Sequence, residues 1–192
     1  MNDSFKVVLM GESSVGKTAL AIRFSRKSFN EYNDATVGAS FSRFEYNGIN
    51  IRLWDTAGQE RYLSLCQLYY RDADVILLVF DVYELNSLKR AEYYINKINS
   101  ENKDDYFIVI VGNKMDLIKN ETTLDLIKKK VQDELLDKFN NLQCIFVSAK
   151  TNENIENLLD IIKVHCNSIK KKYKKNLLLF DQNNNLYSRC EC

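Results

Sequence analysis

The sequence predicts an α/β protein: a six-stranded, mostly parallel sheet with one antiparallel edge strand and helices on both faces, three layers in all. Three observations carry this. Apolar runs alternate with helical stretches from Val75 to a closing helix that ends near Ile169. Earlier, the turn Asn47-Gly48 joins two strand-like runs and supplies the antiparallel pair. Finally, Gly11-Glu12-Ser13-Ser14-Val15-Gly16-Lys17-Thr18 has the spacing Gly, four residues, Gly, Lys, Ser/Thr and follows an apolar strand, the place a P-loop takes.

In chain order, Phe5 to Met10 reads as the first strand and Gly16 to about Ser25 as a helix. Arg26 to Gly38 is polar and lacks sustained periodicity, hence an exposed loop of the length that usually carries function. Ala39 to Tyr46 and Ile49 to Trp54 are the hairpin strands, with Ile49, Ile51 and Leu53 alternating. Asp55 to Leu65 is a glycine-containing loop, and a short helix then runs to about Arg71. Val75 to Asp81 is a buried-type strand, and Asn86 to Asn99 a helix with Leu88, Ala91, Ile95 and Ile98 on one face. Tyr106 to Val111 is a strand, Thr123 to Phe139 a helix and Gln143 to Val147 the last strand. Glu153 to Ile169 closes the domain with Ile155, Leu158, Leu159, Ile162, Cys166 and Ile169 along one stripe.

Composition narrows the class. The 192 residues suffice for one domain with a core of its own, expected over residues 1–169. Lys and Arg number 27 against 26 Asp and Glu, a net charge of +1, so there is no global electrostatic case for nucleic-acid binding. Apolar runs such as Val75 to Phe80 fall far short of the ~20 residues a membrane helix needs. The start Met1-Asn2-Asp3-Ser4 shows neither a signal-peptide pattern nor the glycine that myristoylation requires, so a soluble chain made in the cytosol is expected. The 5 cysteines are scattered, which argues against a disulfide framework. Residues 170–192 are expected to form a disordered tail: a lysine run at 170–175, an apolar patch Leu177 to Phe180, and an asparagine-rich end.

The chemistry-bearing motifs each follow a strand, so they gather at one end of the sheet. In the P-loop, backbone N–H groups and the helix N-terminus form a concavity for phosphate, with Ser13, Ser14, Val15, Gly16, Lys17, Thr18 and Ala19 as the contacting stretch. Lys17 would reach the terminal phosphates and the Thr18 hydroxyl would ligate Mg²⁺. In Asp55-Thr56-Ala57-Gly58-Gln59, the Asp55 carboxylate can hold a magnesium-bound water and the Gly58 N–H a γ-phosphate oxygen. Asn113-Lys114-Met115-Asp116 would meet the base. The Asp116 carboxylate only accepts, so it pairs with guanine, whose edge presents N1–H and a 2-amino group, and opposes the N1 acceptor of adenine. An opposed, buried acceptor costs roughly 1–3 kcal/mol and more when charged. After the last strand, a backbone N–H of Ser148-Ala149-Lys150 could meet the guanine carbonyl. His165 and the aromatic stretches such as Tyr93-Tyr94 read as packing residues.

In this order the motifs resemble the Ras superfamily of small GTPases from Phe5 to about Ile169, a three-layer P-loop NTPase fold. The resemblance implies that Thr36 binds Mg²⁺ and γ-phosphate, that Phe29 packs against guanine, and that Gln59 orients the attacking water beside Lys17. Trp54 to Tyr62, Tyr69-Tyr70-Arg71 and the ending Cys190-Glu191-Cys192 look like a Rab protein, with prenylation of both Cys190 and Cys192 implied. The first switch, Ala35 to Phe41, is similar to that of early-endosomal Rabs, and Phe41, Trp54 and Tyr69 match the aromatic triad that faces effectors. Cys66-Gln67-Leu68 departs from the usual second-switch wording, and the tail is short.

What the resemblance implies is a monomeric switch cycling between GTP and GDP on the cytosolic face of endosomal membranes. Its implied partners are an exchange factor, an activating protein, effectors, a prenylation escort, GDP dissociation inhibitor and the membrane, with no nucleic acid. Intrinsic hydrolysis is expected to be slow, because no arginine in the first switch offers an internal finger. The rival readings are a nucleotide-locked scaffold of the same fold, a Rab of another transport step, and a metabolic P-loop kinase, which would not need Asn113 to Asp116.

Overall fold

The computed structural model describes residues 4–58, 63–100, 107–140 and 142–187, with backbone alone at 63–66 and 172–187. The strands are β1 (Ser4–Gly11), β2 (Ala39–Tyr46), β3 (Ile49–Thr56), β4 (Val75–Asp81), β5 (Phe107–Asn113) and β6 (Gln143–Phe146). The helices are α1 (Lys17–Arg26), α2 (Leu63–Tyr70), α3 (Asn86–Ser100), α4 (Glu121–Val131) and α5 (Ile155–Tyr187). The sheet order is β2-β3-β1-β4-β5-β6, with β2 antiparallel to β3 and every other pair parallel.

Strand periodicity divides the core in two. Side chains alternate across a sheet, so Val7 and Leu9 of β1, Leu53 of β3, Leu77 of β4 and Val109 of β5 share one face with Leu20 and Phe24 of α1 and Leu158 and Ile162 of α5. Val8, Met10, Ile76, Leu78 and Ile110 share the other with Leu88 and Ile95 of α3 and Ile127 and Val131 of α4. All of β4 is buried, as a central strand covered on both faces must be. His165 stacks on Phe107 and burial lowers its pKa, in keeping with a packing role. Burial also pushes the Cys144 and Cys166 thiols up to about 12, so both are inert near neutral pH.

The chain leaves β1 for β3 on one side and later crosses to β4 on the other, so strand order reverses beside β1. Ligand crevices open at such a reversal. Register sets the heights: Leu9 pairs with Asp55, Gly11 with Val79, Asp81 with Asn113 and Gly112 with Phe146. Gly11 must be glycine, because a Cβ there would lie 2.1 Å from the Val79 carbonyl oxygen.

Several boundaries differ from the sequence reading. β3 and β5 run on to Thr56 and Asn113, so Asp55 and Asn113 stand on strand ends, not in loops. α4 starts at Glu121, where the Asn120 side chain caps the Thr122 N–H, and gives way after Val131 to a π-helical turn, Gln132–Leu136. The expected tail departs most. α5 continues through the lysine run to Tyr187, since no glycine or proline after Ile169 stops a segment rich in Lys, Leu and other helix formers. No described helix is long and apolar enough to cross a membrane.

Candidate nucleotide site

A cavity of about 440 Å³ opens at the carboxyl ends of the strands. One end is walled by Ser13, Ser14, Gly16, Lys17, Thr18, Ala19, Thr36 and Gly58, the other by Phe29, Asn113, Lys114, Asp116, Ala149 and Lys150. Val15 and Ser148 stand behind the wall: Val15 is buried in the core and Ser148 is fully buried. Asn30, Glu31, Asn33 and Asp34, which no motif singled out, also line it, as does Ala35.

At the phosphate end, α1 begins at Gly16 with φ 93°, no side chain caps it and its first turn holds no acid. Its leading N–H groups therefore remain available to an anion. The Lys17 ammonium donates to the carbonyls of Gly11 at 3.0 Å and Glu12 at 2.7 Å, which holds it against the loop. Gly58 packs so closely that a Cβ would lie 2.5 Å from Glu12 and from the Lys17 ammonium. Only glycine allows that approach.

Three segments converge on Asp55. The Thr18 hydroxyl donates to its Oδ2 at 2.8 Å, the Thr36 hydroxyl lies 3.0 Å from that of Thr18 and 3.4 Å from Oδ2, and Ser40 reaches the same oxygen at 3.5 Å. Asp55 is buried, and burial raises its pKa against those hydrogen bonds and the charge of Lys17. Its Oδ1 is buried without a hydrogen-bond partner. Buried polar oxygens are nearly always satisfied, so this one marks a place for water or an ion. Hard oxygens of two hydroxyls and a carboxylate fit Mg²⁺, which keeps several waters of its own.

At the other end Asn113 is the joint. Its amide Nδ2 donates to the Val15 carbonyl at 2.9 Å and its Oδ1 accepts the Ala149 N–H at 3.1 Å. The P-loop and the loop after β6 are thereby fixed to one side chain. Of the three backbone N–H groups of Ser148-Ala149-Lys150, that of Ala149 is engaged by Asn113. Lys114, at φ 68°, pairs with Asp81 at 2.7 Å. Ser148 donates to Asp116 Oδ1 at 2.5 Å and accepts the Thr151 N–H, so it holds the carboxylate at the cavity wall. Arg23, which sequence reasoning passed over, donates to the carbonyls of Ala149 and Lys150. An arginine in the last turn of a helix looks like any dipole-compensating residue, so the sequence held no signal for it.

A Ras family model matches residues 6–168. The chain belongs to the Ras family. Its relatives there are Rab and Ypt small GTPases. It is 38% identical over 171 residues to YPT53 of Saccharomyces cerevisiae, spanning 85% of this chain and 77% of that protein. With ypt5 of Schizosaccharomyces pombe identity is 35% over 162 residues, 82% and 75% of the two chains. With Rab-5A of Dictyostelium discoideum it is 34% over 161 residues, 80% and 76%. Thr36 lies with Thr18 and Asp55, and Phe29 lines the cavity. Phe41, Trp54 and Tyr69 form a row, with ring centroids 5.2 Å and 6.3 Å apart and Phe41 exposed. Gln59, Cys190 and Cys192 lie outside the described residues.

Asn113→Ala leaves the Val15 carbonyl and the Ala149 N–H unpaired in a buried place. At roughly 1–3 kcal/mol for each orphaned group, stability falls by about 2–6 kcal/mol. Urea unfolding of the parent and the variant measures it.

Proposed function

We propose that the protein is a GTP/GDP switch that hydrolyses GTP slowly on its own and acts in endocytic transport at the cytosolic face of endosomes. One observation carries the nucleotide reading. A single cavity has the P-loop, Lys17, Thr18 and Thr36 at one end and the acceptor-only carboxylate of Asp116 at the other, with Asn113 tying the ends together. A guanine edge matches Asp116, and an adenine edge opposes it.

The chain's own residues divide the work. N–H groups at the start of α1 and the Lys17 ammonium bind the phosphates, with Lys17 exchanging its present carbonyl partners for phosphate oxygens. Thr18, Thr36 and Asp55 would hold Mg²⁺, Asp55 through a water, and the ion would supply charge neutralisation on the transferring phosphoryl group. Gln59 orients the attacking water. Thr36 and Gly58 hold their loops against the γ-phosphate, so its loss releases both and alters the surface around Phe41, Trp54 and Tyr69. Exchange factor, activating protein, effectors and GDP dissociation inhibitor are the partners this cycle calls for. The relatives YPT53 and ypt5, GTP-binding proteins by name, support the nucleotide reading, and the endocytic setting rests on the resemblance of the first switch.

Cys190 and Cys192 are proposed to carry prenyl groups. At ~0.8 kcal/mol per buried CH₂, two chains anchor stably where one is marginal. The lysines at 170–175 add attraction to anionic lipid, about 1 kcal/mol for each charge near the surface.

Protein purified from cells is expected to release guanine nucleotide in near-stoichiometric amount and to rebind GTP with Mg²⁺ in preference to ATP, and Asp116→Ala should lose that binding. ATP preference, or no nucleotide, would bring back the kinase and scaffold readings. In single-turnover hydrolysis the parent should convert GTP slowly and Gln59→Leu should stay GTP-bound; equal rates would remove Gln59 from the mechanism. Intact mass of membrane-extracted protein should show two prenyl additions, one lost in Cys190→Ser and one in Cys192→Ser.

A further inference from the structure

Arg23 does not line the cavity, yet its side chain donates to two backbone carbonyls of a loop far away in sequence. Its Nε donates to the Ala149 carbonyl at 2.8 Å and its Nη2 to the Lys150 carbonyl at 2.9 Å, partners 126 and 127 positions away in sequence. Its Nη1 donates to the Lys27 carbonyl at 3.2 Å. Lys27, at φ 53°, is the C-cap of α1, where the chain enters the loop that leads to the first switch. The Lys27 contact alone would be ordinary end-capping of a helix. The other two are not, because they belong to a different loop.

That loop is the base-end wall. The Ala149 peptide is buried and held from both sides, its N–H by Asn113 and its carbonyl by Arg23. A planar guanidinium presents its donors as a fork and can take two consecutive carbonyls at once, which an ammonium cannot. Lys150 also pairs with Glu31 of the loop after α1 at 3.4 Å, with both side chains more than half exposed. Such a surface pair contributes little. The guanidinium is therefore the principal tie.

We propose that Arg23 is a positioning residue that sets how long the nucleotide stays bound, by clamping the Ala149-Lys150 loop to the end of α1. The proposal rests on reading the cavity as a guanine-nucleotide site. Without the clamp the loop opens more often, and each opening gives the base a way out. Release accelerates, while association, limited by encounter with the open cavity, changes little. Clamping one loop to the entry of the first switch also means that a partner displacing that segment loosens the base end.

The test uses the full chain loaded with fluorescently labelled GDP and Mg²⁺, chased with excess unlabelled GDP. Release from Arg23→Ala is expected to be about 10–100-fold faster than from the parent, the size of one or two lost charge-assisted hydrogen bonds. Association with nucleotide-free protein should stay within about twofold. Arg23→Lys, which reaches one carbonyl, should fall between the two. Tyr46→Phe is the control, since it removes a 2.9 Å bond to Asp160 remote from the cavity. Its release should match the parent. If Arg23→Ala does not fold, Arg23→Lys and Arg23→Gln take its place, with release ordered parent, Lys, Gln from slow to fast. The proposal is overturned if the Arg23 variants release GDP at the parent rate, or if they only lose thermal stability or active fraction. It is overturned too if Tyr46→Phe accelerates release as much. A parent that holds no labelled GDP brings down the nucleotide reading itself, a result read before any variant is compared.

Discussion

The site depends on one buried amide. Asn113 bridges the P-loop through the Val15 carbonyl and the loop after β6 through the Ala149 N–H, so the distance between the two ends of the cavity is set by one side chain. It can do this because β5 extends to Asn113 in register with Asp81 of β4, on the rigid end of a buried strand. Gly16 completes the arrangement: a Cβ there would come within 2.3 Å of the Asn113 amide nitrogen. The second glycine of the P-loop thus serves two needs, the left-handed turn into α1 and the close approach of Asn113.

Asp55 plays the corresponding part at the phosphate end, at a cost. A carboxylate nearly closed off from water is destabilised by desolvation, and here its Oδ2 recovers some of that through Thr18, Thr36 and Ser40. The Oδ1 recovers none from the described residues. A buried carboxylate with one oxygen left over, beside a lysine and two hydroxyls, has the donor set of a hard-cation site. The same arrangement makes Thr36 dependent on the far side of the cavity, because its hydroxyl has its recorded partners in Thr18 and Asp55, not in its own segment.

Most of this was legible in the sequence, for a physical reason. Strands, P-loop and guanine-edge motif are local patterns, and a parallel sheet places everything that follows a strand at one end. The sheet order, the gathering of Thr18, Thr36 and Asp55, and the row Phe41, Trp54, Tyr69 accord with it. What it missed are residues that act across long separations through backbone partners. Arg23 and Asp81 carry no motif, and their roles exist only once β4, α1 and the loop after β6 are assembled. The closing helix was cut short because polarity was taken as the end of structure, although nothing in the composition breaks the helix before Tyr187.

The contrast between core and loop explains how so few contacts could switch the surface. From residue 26 to 38 no side chain is buried, and Tyr32 and Val37 are 85% and 81% exposed, so almost no packing fixes this segment. Its place is decided by a few polar contacts. Moving a two-state segment from 1:99 to 99:1 takes about 5.5 kcal/mol of differential binding. A hydrogen bond to a charged group contributes roughly 1.5–3 kcal/mol. On the proposed cycle, one bond from Thr36 or from Gly58 to the γ-phosphate would leave a mixed population, whereas the two together reach about 3–6 kcal/mol and span the change. The two loops are also joined directly, since the Ala57 N–H donates to the Gly38 carbonyl at 2.8 Å. That bond links the loop after α1 to the end of β3, so the two contacts act on a common equilibrium and their contributions combine.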